Sequence, residues 1–123
     1  MHSSDSENII ALIKQQAALF LLDAEEFYPF GTYIDKFGKI KPIGVYLEES
    51  DPSATLLISM LENYLKQSMD NKILKIGAIA INVVISENGS RQDAIEIRIY
   101  KPGFEIEKRY FKYHIKDKHI EFF

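Results

Sequence analysis

Apolar residues dominate one stretch of this sequence, Ile73 to Ile85, where only Lys75 and Asn82 are clearly polar. Its β-branched content, its length and the turn signal Glu87-Asn88-Gly89-Ser90 that follows argue for a strand and against a buried helix. Alternation puts Ile73, Lys75, Gly77, Ile79, Ile81, Val83 and Ile85 on one face and Leu74, Ile76, Ala78, Ala80, Asn82 and Val84 on the other. Both faces are largely apolar. A strand of this kind is central and covered on both sides, either wholly by the protein's own helices or on one side by a partner.

The remaining patterns place the other elements around it. From about Asp5 to Leu22, Ile9, Ile13, Gln16, Ala17 and Phe20 share one helical stripe, with Leu12 and Leu19 beside it and N-cap choices at Ser3, Ser4, Asp5 and Ser6. The stripe widens at Phe20-Leu21-Leu22, which predicts a last turn enclosed from more than one side. Pro29 ends helical character at Tyr28, and Phe30 to Asp35 then alternates toward a turn at Lys36-Phe37-Gly38-Lys39. A second strand, Ile40 to Leu47, completes a hairpin, and Pro42 within it predicts an edge position or a bulge. Asp51 as N-cap and Pro52 at the first helical position open a second amphipathic helix carrying Leu57, Met60, Leu61, Tyr64 and Leu65. After the central strand, Ile95, Ile97 and Ile99 alternate with Glu96, Arg98 and Tyr100, giving one buried and one wet face. The last strand, Phe104 to about Ile115, changes phase between Ile106 and Phe111, which predicts a β-bulge near Lys108 or Arg109. The tail ending in Ile120, Phe122 and Phe123 is too apolar for a solvated end and is expected to dock. The order helix, hairpin, helix, three-stranded meander predicts a single α+β domain over residues 1–123, with a mainly antiparallel sheet of about five strands covered by two helices.

Composition narrows the function classes. With 46% hydrophobic and 27% charged residues in 123, the chain can bury a core without staples. The absence of cysteine excludes a disulfide framework and any thiolate chemistry. The sequence shows neither a secretory leader nor a membrane span, and a cytoplasmic location is expected. Residues 1–70 hold five lysines against eleven acids, whereas residues 71–123 hold ten basic residues against seven acids. The positive half is too weakly charged for a convincing nucleic-acid footprint.

The segment Glu26-Phe27-Tyr28-Pro29-Phe30-Gly31, with Gly38, Asp51-Pro52-Ser53 and Asp93-Ala94-Ile95, resembles a family of small uncharacterised bacterial α+β proteins to which no activity is assigned. The resemblance implies a compact α+β domain of bacterial type. Small bacterial proteins of this sort include immunity proteins for secreted toxins, so it also implies a binding role without transferring any functional residue.

Several candidate chemistries follow. Asp23, Glu25 and Glu26 beside Tyr28 suit a cleft in which a carboxylate near aromatic walls acts as acid or base; the plainer reading is a solvated helix end with Phe27, Tyr28 and Phe30 filling a core corner. Joined by Glu48, Glu49 and Asp51 they would offer oxygen ligands to a hard cation, but no EF-hand pattern frames them. His114 and His119 lack a zinc motif, no serine-hydrolase elbow or phosphate loop is present, and no cofactor is expected. Lys101, Lys108, Arg109, Lys112, Lys116 and Lys118 interleave with Tyr100, Tyr110, Phe111 and Tyr113 as in a single-stranded nucleic-acid platform, yet Glu105, Glu107, Asp117 and Glu121 dilute it. The same strip reads better as a protein-binding face anchored by Tyr100, Arg109, Tyr110 and Tyr113, for a foreign partner or a second copy. A non-catalytic protein-binding domain is therefore the leading expectation, ahead of a carboxylate enzyme and a weak nucleic-acid binder.

Overall fold

In the computed structural model, which describes residues 5–44 and 53–123, the central apolar run lies in the interior of a sheet. Among the described residues the order is α1 (Asp5–Ala24), β1 (Phe30–Asp35), β2 (Ile40–Pro42), α2 (Ala54–Asp70), β3 (Leu74–Glu87), β4 (Ser90–Tyr100), β5 (Glu107–Lys116) and β6 (His119–Phe122). All pairings are antiparallel, in the spatial order β2-β1-β3-β4-β5-β6. The α+β class stands. The sheet has six strands instead of about five, because the apolar tail forms β6 and lengthens the meander to four strands.

Local chemistry explains the joints. At the β3–β4 turn Asn88 and Gly89 both take positive φ, 50° and 78°, the backbone that lets a two-residue hairpin follow the strand twist. Ser53 caps α2, its side-chain oxygen accepting from the Leu56 N–H at 3.1 Å. The cap is thus not Asp51, and Asp51 and Pro52 lie outside the described residues. Asp35 organises the first hairpin turn: its Oδ1 accepts from the N–H groups of Phe37 and Lys39, each at 2.9 Å. The Lys39 and Phe37 N–H groups and the Lys41 ammonium hold its carboxyl below the usual range against the opposing effect of burial. Pro42 does sit on an edge strand, opposite Thr32; the expected run on to Leu47 leaves the described residues after Gly44.

The helices lie on opposite faces. On α1, Ile9, Ile13, Ala17 and Leu21 recur every fourth residue and pack on Ile76, Ala78 and Ala80 of β3 and on Ile95, Ile97 and Ile99 of β4. On α2, Leu61 and Leu65 meet Ile79, Ile81, Tyr33 and Tyr100. Each fully buried Leu or Ile contributes about 1.5–3 kcal/mol, so packing holds both helices. Gly77 permits the closest approach, since a Cβ there would stand 2.4 Å from Leu65 Cδ2. Both faces of β3 are therefore covered from within the chain over Ile76 to Ile81, while Val84 nearer its end is exposed.

The two polar residues that interrupt the central run also find partners. Lys75 Nζ lies 3.3 Å from Asp5 Oδ2, and Asn82 Nδ2 donates to the Tyr113 hydroxyl at 2.9 Å. β5 pairs with β4 in unbroken register from Glu107 to Lys112, so the predicted bulge near Lys108 or Arg109 is absent. The phase change falls in the connection before β5, where Phe104 and Ile106 are exposed; the register slip occurs instead between Ile34 and Asp35. β5 and β6 curl over one flank of α1, where Ile120 and Phe122 join the core and Lys14 Nζ lies 4.4 and 4.6 Å from the ring centres of Phe111 and Phe122. No helix among the described residues is long and apolar enough to cross a membrane.

Candidate functional site

The other flank of α1 is open. Between it and the β1–β2 hairpin run three hollows placed end to end. The first, about 450 Å³, is lined by Asp5, Asn8, Ala11, Leu12 and Gln15 against Ile34, Gly38, Ile40 and Lys75. The second, about 360 Å³, shares Leu12 and Ile40 with it and adds Gln16, Phe20, Phe30, Pro42 and Ile43. The third, about 340 Å³, shares Phe20 and Phe30 with the second and adds Phe27, Tyr28 and Pro29, with Asp23 and Glu26 on its rim. Along α1 the groove extends from Asn8 to Asp23, about 22 Å at 1.5 Å per residue.

Its walls follow from the helical period. Leu12, Gln16 and Phe20 lie one, two and three turns along a stripe next to the buried Ile9-Ile13-Ala17-Leu21 row. The predicted stripe merged the two, which is why it looked too wide; Leu21 is buried, but Leu19, Phe20 and Leu22 are exposed, so the last turn is not enclosed from several sides. Pro29 turns the chain so that Phe20, Phe27 and Phe30 form a three-ring cluster, with Phe20–Phe30 centroids 5.2 Å apart edge-on and Phe27–Phe30 5.4 Å apart. Phe20 keeps 39% of its surface exposed, Tyr28 56% and Ile40 56%.

The groove ends in negative charge. Asp23 lies in the last turn of α1, which holds no basic residue, and Glu25 and Glu26 follow directly. A helix C-terminus is the negative pole of its dipole, so these carboxylates sit where anions are least favourable. Glu25 also adopts φ 63°, and its N–H donates to the Leu21 carbonyl at 2.8 Å in a left-handed helix stop that glycine fills more easily. Of the expected cleft of Glu25, Glu26 and Tyr28, Glu26 and Tyr28 thus line the acidic end of a longer groove, while Glu25, between Ala24 and Glu26 in sequence, does not line it. Glu48, Glu49 and Asp51 lie outside the described residues, and among the described ones no group of three His, Cys, Asp or Glu is placed to hold a metal.

The four residues expected to share a partner-binding face are dispersed. Tyr100, 1% exposed, lies under α2, where its O–H donates to Glu62 Oε2 at 2.6 Å. Burial and that bond push the Tyr100 hydroxyl far up, and the same bond, with Lys66, holds Glu62 below the usual carboxylate range. Tyr113 is buried on the opposite, α1 side, where burial raises its hydroxyl. Arg109 is paired with Glu107 opposite Ile97. Tyr110 alone is both on the α2 side and exposed, at 51%; its O–H donates to Glu96 Oε1 at 2.9 Å, which raises it. Glu96 Oε2 in turn accepts from Arg98 Nε at 2.6 Å. Lys66, Glu62, Tyr100, Arg98, Glu96 and Tyr110 thus make a polar ladder that runs from α2 across β4 to β5. Lys112 and Lys116 are paired with Glu87 and Glu121, so the basic strip is not one bare row of cations.

Residue reading missed Glu62, Arg98 and Glu96 as members of one cluster, although the alternation Glu96-Arg98-Tyr100 had put two of them on one face with Tyr100. It also missed Leu12 and Ile40 as groove residues; the place of Leu12 beside the α1 stripe was its signal, and nothing local marks Ile40 on β2. No protein-family model, curated protein or solved structure gives a significant match to the chain.

Proposed function

We propose that this chain is a non-catalytic protein-binding domain that engages its partner through the groove between α1 and the β1–β2 hairpin. The observation that carries the reading is the run of three adjoining hollows along the open flank of α1, polar at the Asp5–Lys75 end and mainly apolar beyond it, bordered by exposed Phe20, Tyr28 and Ile40. Contiguous apolar surface with a charged rim is the usual mark of a protein-interaction site. The β4–β5 face fits less well, because its polar groups already satisfy one another. An immunity-type inhibitor, which acts by occupying a toxin, and a homodimer are both forms of this reading.

The test is capture from an extract of the source cells with three baits: the wild type, Ile40→Glu in the groove, and Tyr110→Ala on the ladder. A partner retained by wild type and Tyr110→Ala but lost by Ile40→Glu is the expected result. Loss with Tyr110→Ala alone would move the site to β4–β5. Light scattering on the pure protein identifies a second copy as the partner if a dimer forms and Ile40→Glu dissolves it.

A further inference from the structure

We propose that the groove receives a basic amphipathic α-helix of a partner protein, lying antiparallel to α1 over β1 and β2 with its Lys/Arg-rich N-terminal end against Asp23, Glu25 and Glu26. This rests on the protein-binding reading and specifies the partner's chemistry. Shape supplies the first argument. The open space has a helix for one wall and a sheet face for its floor, and a second helix packs beside α1 at the ordinary 8–10 Å axial separation. About 22 Å of groove matches roughly 15 helical residues, which would set apolar side chains at every third or fourth position onto Leu12, Phe20 and Ile40.

Charge supplies the second. The acidic end of the groove opposes the α1 dipole, and among the described residues no lysine or arginine is paired with Asp23, Glu25 or Glu26. An incoming helix N-terminus carrying lysine or arginine supplies both the missing cations and the opposite pole. A second copy of α1 does not. Residues 5–26 carry five carboxylates and one lysine, and that lysine, Lys14, faces Phe111 and Phe122 on the far flank. Antiparallel self-pairing would set Asp23, Glu25 and Glu26 against Asp5 and Glu7 of the other chain, where the lysine that lines the groove, Lys75, is already paired with Asp5.

The probe is a synthetic helix of about 16 residues, leucine on one stripe and lysine toward its N-terminus, labelled for fluorescence anisotropy and followed by circular dichroism. Its control has every lysine replaced by glutamate. The lysine peptide is expected to gain helicity and bind the wild type at least roughly tenfold more tightly than the glutamate peptide. That preference should fall to near unity in the triple variant Asp23→Asn, Glu25→Gln, Glu26→Gln. Ile40→Glu, which alters only an exposed rim residue, should abolish binding, while Tyr110→Ala leaves it unchanged. Equal binding of the two peptides, or no binding by either to a wild type that still loses its cellular partner on Ile40→Glu, would overturn the basic-helix assignment and leave the groove reading intact. A cellular partner that survives Ile40→Glu and is lost with Tyr110→Ala would overturn both.

Discussion

The two faces of the sheet meet one geometric problem and answer it differently. Six strands at about 4.8 Å spacing make a sheet about 24 Å wide, whereas one helix with its side chains covers about 10–12 Å. On the α2 face, beyond Tyr100 under the helix, β4 and β5 carry side chains bonded to one another, from Glu62 through Tyr100, Arg98 and Glu96 to Tyr110. On the α1 face, the β5–β6 curl closes one flank with Phe111, Ile120 and Phe122, and the other flank remains an apolar groove. A satisfied polar ladder needs no partner, because its groups have already exchanged water for each other. Bare apolar surface retains a driving force for association at roughly 25 cal/mol per Å² buried. Exposure of charged and aromatic residues is thus a poorer guide to the binding face than unmet apolar surface.

The comparison is broken most strongly at Tyr100. If the ladder is structural, Tyr100→Ala removes a fully buried ring and lowers stability by roughly 3–5 kcal/mol, while Tyr110→Ala, at the exposed end, costs under about 1 kcal/mol. Urea unfolding of both variants measures the difference. Near-equal losses would mean that the ladder is not graded by burial.

Tyr100→Phe keeps the ring and removes only the bond to Glu62, for a loss of roughly 1.5 kcal/mol, the low end for a bond to a charged group, since Glu62 keeps Lys66. Its pH dependence sharpens the assignment. Glu62 has a lowered folded-state pKa, so the stability it contributes is present above the unfolded value of about 4.3 and is lost as pH falls through the lower folded value. The gap between wild type and Tyr100→Phe should therefore be full at neutral pH and narrow below about pH 4. A gap that stays constant into acid would mean the hydroxyl acts through packing alone.

At the groove end the sign reverses. Glu25 occupies a left-handed helix stop against the dipole, so Glu25→Gly should raise stability by roughly 0.5–1 kcal/mol while weakening the lysine peptide. Thermal unfolding beside anisotropy reads both effects. A variant that is more stable and binds equally well would detach Glu25 from the site.

Much of the architecture was legible because it rests on period and turn chemistry. The β3 run, the Asn88-Gly89 hairpin, the β4 strand and both amphipathic helices each carry their signal in a few adjacent residues, although the face of Glu96, Arg98 and Tyr100 that was expected to be wet has Glu96 and Tyr100 buried, because α2 and the hydrogen-bonded ladder cover it. Elements whose cause lies elsewhere in space were not legible. The change of phase after Ile106 looks the same in sequence whether a bulge or a loop absorbs it, and only the β4 register decides. Tyr100 and Tyr113 read as one aromatic strip, yet they belong to different strands and face different helices. Asn82 looked like a flaw in the central strand until Tyr113, thirty-one residues on, supplied its acceptor. The acidic cleft was found by residue type, but its continuation along α1 depended on where the hairpin lies.

The smallest expected effect carries the most weight for function. Ile40 is 56% exposed on the short edge strand β2, and its side chain lines two of the three hollows. Replacing it by glutamate removes little buried surface, so the isolated protein should change in stability by no more than about 0.5 kcal/mol, as exposed substitutions usually do. Were the groove a structural seam, a charge at its middle would loosen α1 from the sheet and the unfolding midpoint would drop by far more. An unchanged midpoint together with lost binding therefore separates a surface built for another molecule from one the fold needs for itself. Hydrogen exchange of the α1 amides gives the same distinction locally: protection of Ala17 should be untouched in Ile40→Glu, because Ala17 is buried in the core with Ile76, Ala78 and Ile97 and does not line the groove.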